Sequence, residues 1–246
     1  GAAGCSGRRK RRAHSTMLRL RSVSTLGRIA YLYQKREWNP RWENAFTPAL
    51  CNRIDRNTGG IVIAAKNAET LRIINEKIRD REIDKRYLCI TVGAPRPPQG
   101  RVENFLVKDE KKKQVFVHHK PVPGAKTAVT EYKTLRRQGE LSLVEVHLLT
   151  GRTHQIRATM ADLGCPLLGD GKYGRGEVNR RYGETRQALY SYRLTFDFPT
   201  EAGLLNYLRG RSLQVGHVPF CDRYFGSKGV KTEKTENDCQ AGKKEV

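Results

Sequence analysis

The chain has 246 residues, enough for one large domain or two small ones. Its 47 Lys and Arg outweigh 25 acids to give a net charge of +22, an excess that gathers polyanions and points to nucleic acid as partner. No run approaches the ~18 apolar residues of a membrane span, which sets a membrane aside, and six scattered cysteines without a C-x-x-C pair exclude a zinc framework or a dense disulfide scaffold.

Reduced cysteines suit a cytoplasmic protein. Residues 1–24 are rich in Gly, Ala, Ser and Arg, with the run Arg8-Arg9-Lys10-Arg11-Arg12 and no acid. No apolar run follows the arginines, so this segment reads as a disordered basic arm rather than a signal peptide. Residues 25–225 form the expected folded domain, and residues 226–246 a disordered polar tail. A short helix is expected over 25–33, then a polar loop to Leu50.

The β-branched run Ile61–Ala65 predicts a buried strand. Asn67 then caps a helix, Glu69 lies in its first turn, and Leu71, Ile74 and Ile78 repeat at helical spacing to about Arg81. Further strands are predicted at 87–92, 102–107 and 114–118. A hairpin pairs 128–135 with 141–149 across Arg137-Gln138-Gly139. Thr153 is placed to cap a helix that runs to Leu163 and stops at Gly164. A Gly-rich connection over 169–176, a strand near 188–196, a helical turn at 204–208 and a strand at 213–218 complete the domain. So many irregularly spaced strands predict an α+β fold, a mixed and largely antiparallel sheet with flanking helices.

Several motifs fail their context. Gly169-Asp170-Gly171-Lys172-Tyr173-Gly174 matches G-x-G-x-x-G, but it follows a helix rather than a strand and opens none, so it reads as a polar loop. His118 and His119 are adjacent on a strand and point to opposite faces, which argues against a shared metal. No metal site is expected.

Two runs concentrate chemistry. In Asn52-Arg53-Ile54-Asp55-Arg56-Asn57-Thr58-Gly59-Gly60, one acid sits between two arginines before a turn. Flanking guanidinium groups favour its charged form. A persistent anion suits nucleophilic attack or electrostatic stabilisation and cannot donate a proton; spacing alone also allows Asp55 to be a turn residue. In Thr150-Gly151-Arg152-Thr153-His154-Gln155-Ile156-Arg157, polar groups crowd between two apolar segments, an arrangement that is costly unless something is bound. Arg157 lies one turn beyond Thr153 and can reach the Asp55 loop if the two elements abut.

Together these runs resemble the RluA-type pseudouridine synthases. The first resembles the family's catalytic motif, with Asn52 where His is usual and Gly59 where Ser is usual. Leu149–Arg157 is similar to its second signature. Lys85-Arg86-Tyr87-Leu88 resembles the segment with the active-site tyrosine, and Gly164–Gly174 the loop that follows. The resemblance covers about Thr47 to Phe198. The family's Asn-Lys-Pro strand and S4 RNA-binding domain find no counterpart before Phe46, which leaves the edge of the sheet exposed on this reading.

The resemblance implies a pseudouridine synthase catalytic domain that converts uridine to pseudouridine in structured RNA without metal or organic cofactor. Ribosomal RNA is the first expectation and transfer RNA the second, with the protein a monomer. It implies Asp55 as the catalytic carboxylate and Arg157 as its partner. Tyr87 would lie against the flipped uracil and act in the final C5 deprotonation, and Leu189 would line the base pocket. Arg53, Arg56, Thr58, Arg152, His154 and Gln155 are the remaining expected substrate contacts. A rival from another class is a noncatalytic RNA-binding or ribosome-assembly protein on the same fold, which predicts salt-dependent binding without turnover.

Overall fold

The computed structural model describes residues 16–19 and 46–226. The expected helix over 25–33, most of the basic arm and all but the first residue of the tail lie outside them. The strands are β1 (Thr16–Arg19), β2 (Ala49–Leu50), β3 (Gly59–Ala65), β4 (Ile83–Val92), β5 (Gln99–Asp109), β6 (Gln114–His118), β7 (Lys126–Gln138), β8 (Leu141–Leu148), β9 (Leu189–Phe196) and β10 (Ser212–Gln214). The helices are α1 (Ala68–Arg79), α2 (Gln155–Asp162), α3 (Gly176–Arg181) and α4 (Pro219–Phe225), with a 3-10 turn at Gly203–Leu208.

The strands form one sheet in the order β1-β3-β9-β4-β8-β7-β5-β6, with β2 on β3 and β10 on β9. Among the described residues every pairing is antiparallel except β3 with β9. The α+β expectation therefore holds. Two corrections follow from β1. Thr16–Arg19, expected within a disordered arm, pairs antiparallel with Ile61–Ala64, and the β3 edge expected to lie open is covered.

Strand β4 is the centre of the molecule and is buried on both faces. Leu88, Ile90 and Val92 join the larger core with Ile63, Ile74, Leu143, Leu194 and Phe196. Tyr87 and Cys89 point the other way, into a second cluster with Val144, Val146, Ile156, Met160 and Leu189. Burial on both sides explains why this stretch is a continuous apolar run rather than an alternating one.

Helix α1 follows its local code: Asn67 Oδ1 accepts the N–H of Thr70 at 2.8 Å, and Ile73 and Ile74 face the core. Thr153 does not cap α2. The capping position is His154, whose backbone is left-handed at φ 52° and whose side chain makes no capping bond. The sequence reading missed α3 and α4, elements of six and seven residues that are too short to show periodicity.

Candidate active site

Three segments converge on a cleft of about 410 Å³: the loop 51–58 before β3, the middle of β4, and the loop 151–156 that enters α2. Arg53, Asp55, Arg56, Thr58, Tyr87, Arg152, His154, Gln155 and Leu189 all line it. Arg157 stands behind this lining, and among the described residues Asp55 is the one acid in it.

The Asp55 loop is pinned from both sides. Buried Asn52 accepts the Ile63 N–H through Oδ1 at 2.7 Å, and Cys51 N–H donates to Ile63 O at 2.9 Å. From the other side Gln187 Nε2 donates to the Arg56 carbonyl at 2.6 Å and reaches Thr58 Oγ1 at 3.3 Å. Thr58 N–H closes the turn on the Asp55 carbonyl at 3.0 Å. Gly60 allows the loop to meet β9: its φ is +112°, and a Cβ there would sit 2.1 Å from Ser191 O. Only glycine tolerates both conditions.

That contact carries Asp55 to Tyr87. Gly60 pairs with Ser191, and Ser191 pairs with Tyr87 just past a register shift between Arg86 and Tyr87. Such a bulge re-aims a side chain. Tyr87 lies against Leu189 in the second core cluster, so ring and aliphatic chain form an apolar wall of the cleft. Burial pushes the Tyr87 hydroxyl up to about 12, against the effect of its hydrogen bond with Ser191, and the charge of Asp55 adds to the rise. A phenol that stays protonated at neutral pH is a wall and a donor.

Arg157 sits at a buried junction. Its Nε and Nη2 donate to Asp170 Oδ2 and Oδ1 at 2.7 and 2.8 Å, a bidentate pair, and its Nη1 stands 3.6 Å from Asp55 Oδ2. The Asp170 side chain is 0% exposed and that of Asp55 23%. The expected Arg157–Asp55 pairing is thus the longer and weaker of two. Asp170 fixes the guanidinium plane, and the remaining nitrogen faces Asp55. Burial alone would raise Asp170, but Arg157 and the N–H groups of Lys172 and Tyr173 outweigh it and hold the carboxyl below its ordinary value. Burial lowers Arg157 less than Asp170 and Asp55 raise it, so it keeps its charge. The Tyr173 ring lies 5.2 Å from the guanidinium carbon and completes the cradle.

Tyr173 also orders His154. Its hydroxyl accepts the Val115 N–H at 2.7 Å and lies 2.9 Å from His154 Nδ1. Burial lowers His154, Asp55 opposes this, and Arg157 and Lys172 lower it further, so the ring is neutral at physiological pH.

Gln155 is not available to a ligand, which corrects its assignment as a substrate contact. Its Nε2 donates to Val129 O and Thr130 Oγ1, while Oε1 accepts from Thr150 Oγ1 and Arg152 N–H, all within 2.9–3.0 Å. It clamps the loop 150–154 to β7. Thr58, although it borders the cleft, is buried at 1% exposure, and its hydroxyl faces Gln187 within the fold. Arg53, Arg56 and Arg152 are exposed at the rim. Sequence reasoning missed Asp170, Tyr173, Asn52 and Gln187. Asp170 was visible as the acid of a failed glycine motif and as part of the Gly164–Gly174 loop, without a role of its own. No group of three His, Cys, Asp or Glu suited to a metal occurs among the described residues.

The chain is similar to known proteins. A family profile described as RNA pseudouridylate synthase matches residues 22–162. The ribosomal large subunit pseudouridine synthase D of Borreliella burgdorferi is 36% identical over 155 residues, covering 63% of this chain and 46% of that protein. A Bacillus subtilis protein named as the uncharacterized RNA pseudouridine synthase YhcT is 35% identical over 183 residues, 71% of this chain and 55% of that protein. The chain thus spans about half the length of these relatives. Among solved structures, human RNA pseudouridylate synthase domain containing 1 superposes with a TM-score of 0.63 at 21% identity, over 87% of this chain and 84% of that one, a likeness of fold.

Proposed function

This chain belongs to the RNA pseudouridylate synthase family, of the RluA type, and from that premise we propose that it isomerises uridine to pseudouridine in structured RNA, with ribosomal RNA as the substrate class. The observation that carries the reading is Asp55, the single acid among the described residues of the cleft, facing a charged arginine that another carboxylate already holds in place.

The reaction breaks N1–C1′ and joins C5 to C1′; N1 gains a proton and C5 loses one. An extruded uracil has an apolar wall in Tyr87 and Leu189, and Asp55 is the carboxylate within reach of its sugar. Extrusion costs a few kcal/mol of unstacking, offset by contacts to the base and to phosphates. Exposed Arg53, Arg56 and Arg152 at the rim are placed to meet those phosphates. Arg157 acts as a positioning residue: it carries a formal charge beside Asp55 without needing to touch RNA.

The test is tritium release from ribosomal RNA labelled at uridine C5. Asp55→Asn keeps the shape and removes the charge, and turnover should fall by roughly 10²-fold or more while RNA binding persists. Equal turnover by both proteins refutes Asp55 as the catalytic group; no turnover by the wild-type protein on any RNA refutes the enzymatic reading and favours a noncatalytic RNA binder.

A further inference from the structure

Behind the Asp55 loop lies a second cavity of about 450 Å³ that the uridine chemistry does not use. Thr58 and Leu189 line both cavities, so the two lie back to back across one loop. Its wall is aromatic. Tyr190 and Phe220 meet edge to face with centroids 6.4 Å apart, and Pro219 extends the apolar surface. Gly59 makes this possible, because a Cβ there would stand 2.6 Å from Tyr190 Cε2 and displace the ring.

Three of the polar groups around that wall are unspent. Arg186 is exposed, and neither its guanidinium, the Asn57 amide nor the Tyr190 hydroxyl has a partner among the described residues. The other cation, Arg223, is committed to Glu184 at 2.6 Å. Asn57 is held at φ 70°, a backbone state that an asparagine tolerates better than most residues. An apolar aromatic wall beside an exposed guanidinium, with the one acid among the described lining residues, Glu184, already paired to Arg223, suits a nucleobase, which offers a π-face and an edge rich in acceptors.

We propose that this second pocket receives the nucleobase next to the target uridine, a purine with guanine ahead of adenine. Tyr190 and Phe220 supply the stacking surface. Arg186 supplies two N–H donors matched to guanine O6 and N7, the commonest arginine–base pairing. Extruding one nucleotide from a loop unstacks its neighbour, and a single-loop separation lets consecutive nucleotides straddle the Asp55 loop. The pocket would then choose which uridine is presented, since the cleft itself reads only one base. This inference rests on the uridine-isomerase reading above.

The test is selection of bound RNA from a pool of stem-loops whose seven-nucleotide loops are fully randomised, with the wild-type protein, Arg186→Ala and Phe220→Leu. Leucine keeps the apolar packing of position 220 and removes the ring. Wild-type protein should enrich a uridine with a purine at one fixed neighbouring position. Both variants should lose the neighbour preference by about tenfold, within the range for one lost base stack or arginine contact, and retain the uridine. A neighbour preference unchanged in both variants, or absent from the wild type, overturns the inference while leaving the isomerase reading intact. Loss of uridine enrichment in the wild type overturns both.

Discussion

Replacing Asp170 by Asn tests the arrangement of the site most sharply, because the residue touches no substrate and yet sets the geometry of one that faces Asp55. The carboxylate is fully buried and takes two short bonds from Arg157 and two backbone N–H groups, from Lys172 at 2.8 Å and Tyr173 at 3.1 Å. Breaking a buried pair costs about 3–5 kcal/mol. Asparagine keeps one acceptor and the shape, so the low end applies, about 3 kcal/mol. For a domain of this size that lowers the thermal midpoint by about 6–12 °C. The pH dependence has a definite sign. Asp170 is held below its ordinary value in the folded state, so its contribution is present above the unfolded carboxylate value and is lost as pH falls through the folded one. The stability gap between wild type and Asp170→Asn should therefore be constant near neutrality and close in acid. Activity should fall with it. Without Asp170, the guanidinium is drawn toward Asp55, which lies only 3.6 Å from Nη1, and a misplacement of about 1 Å can cost 10²-fold in rate. The assays are thermal unfolding from pH 3 to 8 and tritium release at 25 °C. Wild-type stability with wild-type turnover would refute the claim that Asp170, rather than Asp55, anchors Arg157.

Gly60→Ala should be among the most damaging single-methyl changes, about 3 kcal/mol or more in chemical denaturation, since it meets Ser191 backbone at a positive φ. Gln155→Ala strands the partners of four internal hydrogen bonds and should cost about 2–4 kcal/mol, with a loosened 150–154 loop visible as faster amide exchange. His147 lies between Asp84 at 2.6 Å and Glu131 at 2.9 Å; its hydrogen bond to Asp84 raises its pKa, against burial, with the charge of Asp84 and the bond to Glu131 adding. Its stabilisation is fully present below the unfolded histidine value and is lost as pH rises through the raised folded one. Denaturation curves of His147→Gln should lack that decline on the alkaline side.

The local code of this chain was legible where a structure depends on neighbours in sequence. Asn67 capping α1, the β-branched run of β3, the hairpin of β7 and β8, and the stop at Gly164 all follow from short-range sterics and hydrogen bonds. Thr153 failed for the same reason in reverse. Its position allows a cap, but the loop is held instead by Gln155 reaching across to β7, and His154 is the left-handed residue at the helix start.

The sequence by itself determined that this is a basic α+β protein whose chemistry is concentrated around Asp55 and the Thr150–Arg157 run. Tertiary structure alone decided how those runs work together. Nothing near Arg157 in sequence marks Asp170, 13 residues on, as its bidentate partner, because the polar loop 169–174 looks the same whether its acid faces water or a guanidinium. Nothing near Asp55 shows that Gly60 docks on Ser191 and so brings Tyr87 to the same cleft. Ion-pair partners and sheet neighbours are chosen by the packing of the whole chain, and a low dielectric forces a buried charge to find its partner wherever that packing places one.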